Sequence, residues 1–284
     1  MIDIASASGL NPDRLRFEPV SGGSIAHAYR LSDGNQTAFV KCMNSQHANV
    51  LEAECAGLRL LADTQTVAIP EVIASGRFDQ LSWLALRWID MQPLSDLGEQ
   101  QLGQQLAAMH RHQAERYGLN HDNFIGRTPQ PNDPDKSWTD FFFTHRIGFQ
   151  LQLLDRNDSS QPWQEWLCRL RQCWEKRFDR YQPPPSLLHG DLWSGNAAQT
   201  EYGNPLVFDP AVHYGDRECD LAMMDLFGGF SQCFYDSYQA SWPLEKGWQK
   251  RRPYYQLYHV LNHANLFSGH YVSSCKKRIK QIVG

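Results

Sequence analysis

The chain is short of positive charge: 27 Lys and Arg stand against 31 Asp and Glu, and the net charge of −4 removes the electrostatic case for nucleic acid or an anionic membrane as partner. Long apolar runs are missing too. The stretch from Trp83 to Ile89 is broken by Arg87, so nothing reaches the about eighteen residues a membrane helix needs. The seven cysteines are odd in number and scattered. They make no disulfide framework, and the nearest pair, Cys168 and Cys173, has no matching Cys or His pair for zinc. The opening residues, MIDIASASGLNPDR, contain neither a basic leader nor an apolar signal core. These absences predict a cytoplasmic protein with reduced thiols. The one basic cluster, Lys276, Lys277, Arg278 and Lys280, reads as a solvated helix end. There is no internal repeat, no G-x-x-x-x-G-K phosphate loop and no pattern that specifies an oligomeric state.

What is present is an ordinary globular composition, 42% hydrophobic and 20% charged, on a chain long enough to bury a core without staples. Its organisation changes along its length. Thr37 to Met43 and Gln80 to Trp88 are β-rich runs bounded by turn residues. Between them, Leu51, Cys55, Leu58 and Leu61 recur at helical spacing over Asn49 to Ala62. Around Asp90 to Pro93 the pattern shifts: Ser95 can cap a helix carrying Leu102, Leu106 and Met109, and helical patterns dominate from there to the end. Arg127 to Ser137 is rich in Pro, Asn and Asp and reads as a loop, and Pro183 to Pro185 as another break. The expected architecture is α+β and two-lobed. A small antiparallel-sheet lobe over residues 1–91 would hold a nucleotide, and a larger helical lobe over 92–284 would carry the catalytic loop and acceptor site.

The chemistry concentrates in His189-Gly190-Asp191-Leu192-Trp193-Ser194-Gly195-Asn196, followed thirteen residues after Asn196 by Asp209. An acid, an amide and a second acid on adjacent loops suit phosphoryl transfer, which needs an acceptor oxygen held in line and cations on the phosphates. Asp191 is the expected base for a substrate hydroxyl. Asn196 and Asp209 are the expected Mg2+ ligands. His189 reads as a buried hydrogen-bonded histidine. Upstream, Ser21-Gly22-Gly23-Ser24 lies between two strand-like segments, where Gly22, Gly23 and Ser24 would bring backbone amides up to phosphate. Lys41 on the next strand would meet the α and β phosphates, steadied by Glu54 with Glu52 as its competitor. Trp88, Ile89 and Asp90 would form the hinge against adenine. Asp216 and Glu218 precede an apolar helix and read either as helix-dipole complements or as functional acids. Asp220 is assigned to support of the catalytic loop.

At these residues the sequence resembles the fructosamine kinase, or ketosamine-3-kinase, family within the aminoglycoside and choline kinase-like group. The resemblance runs through HGDLWSGN at 189–196, DNFIG at 122–126, TPQPN at 128–132, WTDFF at 138–142, FGGF at 227–230 and LYHVLNHANLF at 257–267. It implies a protein-kinase-like fold, ATP and Mg2+ as cofactors, and phosphorylation of the third-carbon hydroxyl of a ketosamine. Candidate substrates are ribulosamine, erythrulosamine or fructosamine adducts of lysine or protein, as in deglycation repair. It also implies that Trp193 faces the sugar, and it makes Asp216 and Glu218 candidate neighbours of the substrate amine. Two departures are Asp216, where many relatives carry His, and Arg87, where an acid is frequent. Two other readings share the catalytic residues or the fold: a kinase for another hydroxylated amine, aminoglycoside or choline-like, and a nucleotide-binding module without turnover.

Overall fold

The computed structural model describes residues 1–20 and 26–284; Gly22, Gly23 and Ser24 lie outside the described residues. In chain order the sheet half contains α1 (Ile2–Ala7), β1 (Arg16–Val20), β2 (His27–Ser32), β3 (Thr37–Asn44), α2 (Ala48–Asp63), β4 (Val72–Phe78) and β5 (Leu81–Arg87). Then follow β6 (Met91–Gln92), α3 (Asp96–His110), β7 (Asn123–Ile125), β8 (Thr128–Gln130) and α4 (Trp138–Phe142), with a π-helical turn over Phe143–Gly148. The remainder is α5 (Phe149–Asn157), α6 (Trp163–Arg177), β9 (Ser186–Leu188), β10 (Ala197–Thr200), β11 (Pro205–Val207), β12 (His213–Gly215), α7 (Glu218–Phe227), α8 (Gln232–Ser241), α9 (Trp248–Phe267) and α10 (His270–Val283).

The first sheet is antiparallel with strand order β1-β2-β3-β5-β4. Alternation decides what each face buries, because successive side chains on a strand point to opposite sides. Val40, Cys42, Trp83 and Ala85 share one core with Ile4 and Leu10, whereas Met43, Leu84 and Leu86 pack against Leu51, Cys55 and Leu58 of α2. Lys41 stands on the α2 side by the same alternation. That placement, not its chemistry, brings a lysine to a helix carboxylate.

The chain then crosses to the helical half, where Gln92 and Met91 pair with Gln199 and Thr200 in a sheet of order β11-β10-β6. Ser95 caps α3 through a hydrogen bond from Gly98 N at 3.2 Å, as its position predicts. The segment expected as loop from Arg127 to Ser137 contains a short strand: Thr128–Gln130 pairs with Asn123–Ile125. Proline at 129 reads as a breaker in isolation, yet on a two-stranded edge it costs no ladder bond. The helical core is aromatic, with Trp138, Phe142, Trp174, Phe178 and Tyr255 buried together, and it supplies a rigid base for the loops above it. No helix among the described residues is long and apolar enough to cross a membrane.

Candidate active site

Two hairpin-like returns build the site. Strand β9 delivers His189, Gly190 and Asp191, and the turn after β11 delivers Phe208, Asp209 and Pro210. The two are stitched together: Ala211 N donates to His189 O at 2.8 Å, and His189 Nε2 donates to Phe208 O at 3.0 Å. A carbonyl can only accept, so His189 is the Nε2–H tautomer, and its Nδ1 takes the Asp191 N–H at 3.3 Å. Burial holds the imidazole below its ordinary pKa. Gly190 is required here. It has φ +83°, and a Cβ would strike the Ala211 carbonyl oxygen.

Asp220, from the first turn of α7, fixes the same loop from below. Its two carboxylate oxygens accept His189 N and Gly190 N, each at 2.8 Å, and one of them also accepts His110 Nε2 at 3.1 Å. Burial alone would raise this carboxyl, but His110, His189 and the Gly190 N–H outweigh it and hold Asp220 below the usual range. Asp191 itself is half-buried at the floor of the cleft. Burial, with Asp209 and Asp220 adding negative charge, pushes its pKa up to about 7 against the pull of Asn196. A carboxylate so poised matches a general base working near neutrality.

Lys41 Nζ lies 2.7 Å from Glu54 Oε1 and 2.5 Å from Asp209 Oδ1. Burial opposes the ammonium, but the two carboxylates outweigh it and hold Lys41 above the ordinary lysine range. Helix phase separates the two candidate glutamates: Glu54 is three residues past Leu51 and turns inward, while Glu52 turns to solvent and pairs with Arg77 at 2.6 Å. Asp209 adopts φ +58°, a left-handed conformation that Asp tolerates better than most residues. Asn196 spends its Nδ2 on Asp191 O at 2.8 Å, which leaves its side-chain oxygen as the available donor atom.

A metal fits this donor set. Among the described residues no cluster of three His, Cys, Asp or Glu side chains could enclose an ion. Asn196 and Asp209 together offer two hard oxygens, the number Mg2+ takes from protein when phosphates and water complete its shell.

Two cavities meet at this point. The larger, about 660 Å3, runs under the hinge past Phe39, Leu86, Trp88, Ile89 and Asp90. The smaller, about 210 Å3, is lined by Asn123, Phe124, Gly126 and Asp191. Lys41, Trp193, Asn196 and Asp209 line both. In the hinge, Trp88 Nε1 donates to Asp90 Oδ1 at 2.9 Å and Arg30 stacks on the indole at 4.9 Å, while Arg87, which also lines the larger cavity, pairs with Glu71 at 2.9 Å. Arg87, a departure in sequence, therefore meets its own acid.

Asp216 and Glu218 are a correction. Neither lines a cavity at the cleft. Asp216 accepts Tyr181 Oη at 2.9 Å, Tyr255 Oη at 2.5 Å and Glu218 N at 3.0 Å, and Glu218 receives Arg251 through Nε at 2.8 Å and Nη2 at 2.5 Å. Strand β12, pairing with β9, carries the chain beneath the catalytic loop and into the aromatic core before α7 begins. Both acids are fully used there, so the charge at 216 has no route to an acceptor.

The sequence reading passed over Asn123, Phe124 and Gly126 as cavity walls, and Arg146 as their support. The π turn points Arg146 inward, where it donates to Pro131 O at 2.5 Å and Asn132 Oδ1 at 2.7 Å. Asn132 and Gln130 then hold Asn123 Oδ1 at 2.9 and 2.7 Å. The signal was the DNFIG and TPQPN pair, which form one hairpin.

Comparison with known proteins finds relatives along the whole chain. The sequence model of a family described as fructosamine kinase matches residues 4–284. A protein of Vibrio parahaemolyticus named a probable ketoamine kinase is 40% identical over 267 residues, 93% of this chain and 91% of its own. The solved structure of a candidate fructosamine-3-kinase from Haemophilus somnus superposes with a TM-score of 0.89 at 30% identity, covering 99% of this chain and 97% of the other. A choline kinase of Streptococcus pneumoniae superposes at 0.67 with 15% identity, covering 99% and 96%, a likeness of fold alone.

Proposed function

The chain belongs to the fructosamine kinase family, and from that premise we propose that it transfers the γ-phosphoryl group of ATP to the 3-hydroxyl of a ketosamine, as a cytoplasmic deglycation kinase. That it is a phosphotransferase follows from the family. The observation that supports the finer reading is the division of the cavities: Asp191 lines only the smaller, the hinge residues only the larger, and Lys41, Asn196 and Asp209 stand at the seam. A nucleotide in the larger and a sugar in the smaller would bring phosphate and hydroxyl together there.

In this reading residues 1–91 hold the nucleotide and residues 92–284 present the acceptor. Trp88, Ile89 and Asp90 bound the adenine end, with Gly22, Gly23 and Ser24 assigned to the phosphates from the sequence. Lys41, steadied by Glu54, neutralises the phosphates. Asn196 and Asp209 would hold Mg2+, which supplies charge neutralisation when bound. Asp191 accepts the proton of the attacking hydroxyl, and Trp193 walls the sugar. Asp220 and His189 act through the loop they hold and touch neither substrate. The seven cysteines are all free, in keeping with a reducing compartment.

The test is magnesium-dependent ADP release measured as kcat/KM over ribulose-lysine, erythrulose-lysine, fructose-lysine, choline and an aminoglycoside. A ketosamine should lead, the shorter sugars ahead of fructose. Choline or the aminoglycoside leading would replace the acceptor class. No release with any acceptor would return the chain to a binding module.

A further inference from the structure

The catalytic motif HGDLWSGN contains two glycines, and they are glycine for different reasons. Gly190 has a left-handed backbone and closes on the Ala211 carbonyl. Gly195 meets neither demand. It lies in the 3-10 turn Ser194–Asn196, outside the left-handed region, where the backbone alone would accept most L residues. What a Cβ at 195 would meet is a side chain: the six-membered ring of Trp193, at Cη2, Cζ2 and, 2.7 Å away, Cζ3. Carbons in ordinary contact stand about 3.5–4.0 Å apart. The indole therefore occupies space that only glycine leaves open.

That ring stands at the seam of the site. Trp193 lines both the cavity under the hinge and the smaller cavity that holds Asp191, and Gly195 lines the first of them. A second contact reaches the indole from the FGGF turn, where Phe227 stands edge-on to it at 6.3 Å. The turn is itself anchored: Ser231 N donates to Glu99 Oε2 at 2.7 Å, and a Cβ on Gly229 would strike the Ser194 side chain. Trp193 is 40% exposed. Crowding at 195 can thus drive the ring toward solvent, by about 1 Å or more to restore ordinary contact, while Asp220 and His189 keep the loop in place.

We infer that Gly195 is a positioning residue for phosphoryl transfer: its missing Cβ lets the Trp193 indole lie across residue 195 as the common wall of the two cavities, and this wall holds nucleotide and acceptor to one seam. The inference rests on the reading above in which the larger cavity takes the nucleotide and the smaller the acceptor. Gly195 acts through Trp193 and touches no reacting atom. The base is a separate matter, because the carboxylate of Asp191 owes its raised pKa to burial, Asp209 and Asp220, none of which the indole supplies.

The test is a cycle of Gly195→Ala, Trp193→Phe and the double variant, with kcat/KM measured on whichever acceptor leads the panel above. Gly195→Ala should melt with the unmodified protein yet lose about tenfold or more in kcat/KM, since a misplacement of about 1 Å can cost about 10²-fold. Its pH limb near 7 should stay in place. The phenyl ring ends short of the three carbons that a Cβ would meet, so in Trp193→Phe the added Ala should cost less than about twofold. Fluorotryptophan labelling reads the ring without turnover: the 19F resonance missing from Trp193→Phe should shift in Gly195→Ala. An unshifted resonance, a kcat/KM within about twofold of the unmodified enzyme, or a failure of Gly195→Ala to fold overturns the inference. So does a loss that persists undiminished in Trp193→Phe, which would assign it to the backbone. Each of these leaves the kinase reading standing, whereas no transfer to any acceptor by the unmodified enzyme overturns both.

Discussion

Two acidic clusters lie within thirty residues of one another, and burial raises acids in both, but their oxygens meet different surroundings. Asp191 and Asp209 line the cleft, with Asp220 holding the loop beneath them, and Asp191 faces the cleft with its carboxylate raised to about 7. Asp216 and Glu218 sit under the same loop, but two tyrosine hydroxyls, a backbone N–H and Arg251 consume their oxygens. The difference is who solvates the charge. A carboxylate matched by protein donors is part of the scaffold, whereas one left facing a cavity with only like charges and an amide nearby is available for chemistry.

The largest expected contrast is between Asp191→Asn and Asp216→Ala. The first should lower kcat by about 10²- to 10⁴-fold while ATP still binds, since a general base contributes on that scale. The second should leave two tyrosine hydroxyls and an N–H unsatisfied, costing about 3 kcal/mol of stability in denaturant titration with kcat of the folded fraction nearly intact. A catalytic loss at Asp216 without a stability loss would break the comparison.

A double-mutant cycle sharpens it at the seam. Lys41→Ala and Glu54→Ala should each weaken ATP binding, and together they should lose little more than one alone, because they remove the same contact. Glu52→Ala should change stability by about 0.5 kcal/mol or less, as expected for an exposed pair with Arg77. Coupling of Lys41 to Glu52 in place of Glu54 would contradict the helix phase.

The smallest effect is in pH. Because the Asp191 pKa is raised in the folded state, its ionisation disfavours folding as pH rises from the unfolded value of 3.8 through about 7. Asp191→Asn should therefore melt higher than the unmodified protein at pH 8 and show no advantage below pH 4. The same group makes kcat fall as pH drops through about 7, a limb absent from the residual rate of Asp191→Asn. An identical melting difference at both pH values would show that Asp191 does not titrate with a raised pKa in the folded protein.

Much of this architecture was legible in the residues. Strand alternation and a four-residue stripe on one helix were enough to place Lys41 and to prefer Glu54, because both are local periodicities. The catalytic motif named Asp191, Asn196 and Asp209 because spacing along two adjacent loops survives in sequence. Asp216 and Glu218 misled, since proximity along the chain to a motif says nothing about which side of a strand pair the chain takes next. Arg146 was silent for a related cause: its inward turn depends on a π-helical register that no periodicity announces. The proline of Thr128–Gln130 hid a strand whose pairing partner lies only a few residues away.

The contact between Lys41 and Asp209 is, among the described residues, the single ion pair that joins the five-stranded sheet to the helical half. Seen as an equilibrium, it makes nucleotide binding an exchange of partners and not the filling of a vacancy. In the proposed reading, phosphate would draw Lys41 away from a carboxylate that Mg2+ would take, so each of the two ligands would lower the cost of binding the other. Metal-free ADP should consequently bind Asp209→Asn more tightly than it binds the unmodified enzyme, and added magnesium should help the variant far less, both readable by calorimetry in chelator and in magnesium buffer. In that reading, a charge that joins the two halves in the resting molecule, beside the Ala68–Val207 backbone bond and the Leu61 and Val67 packing, would let go as the reaction begins.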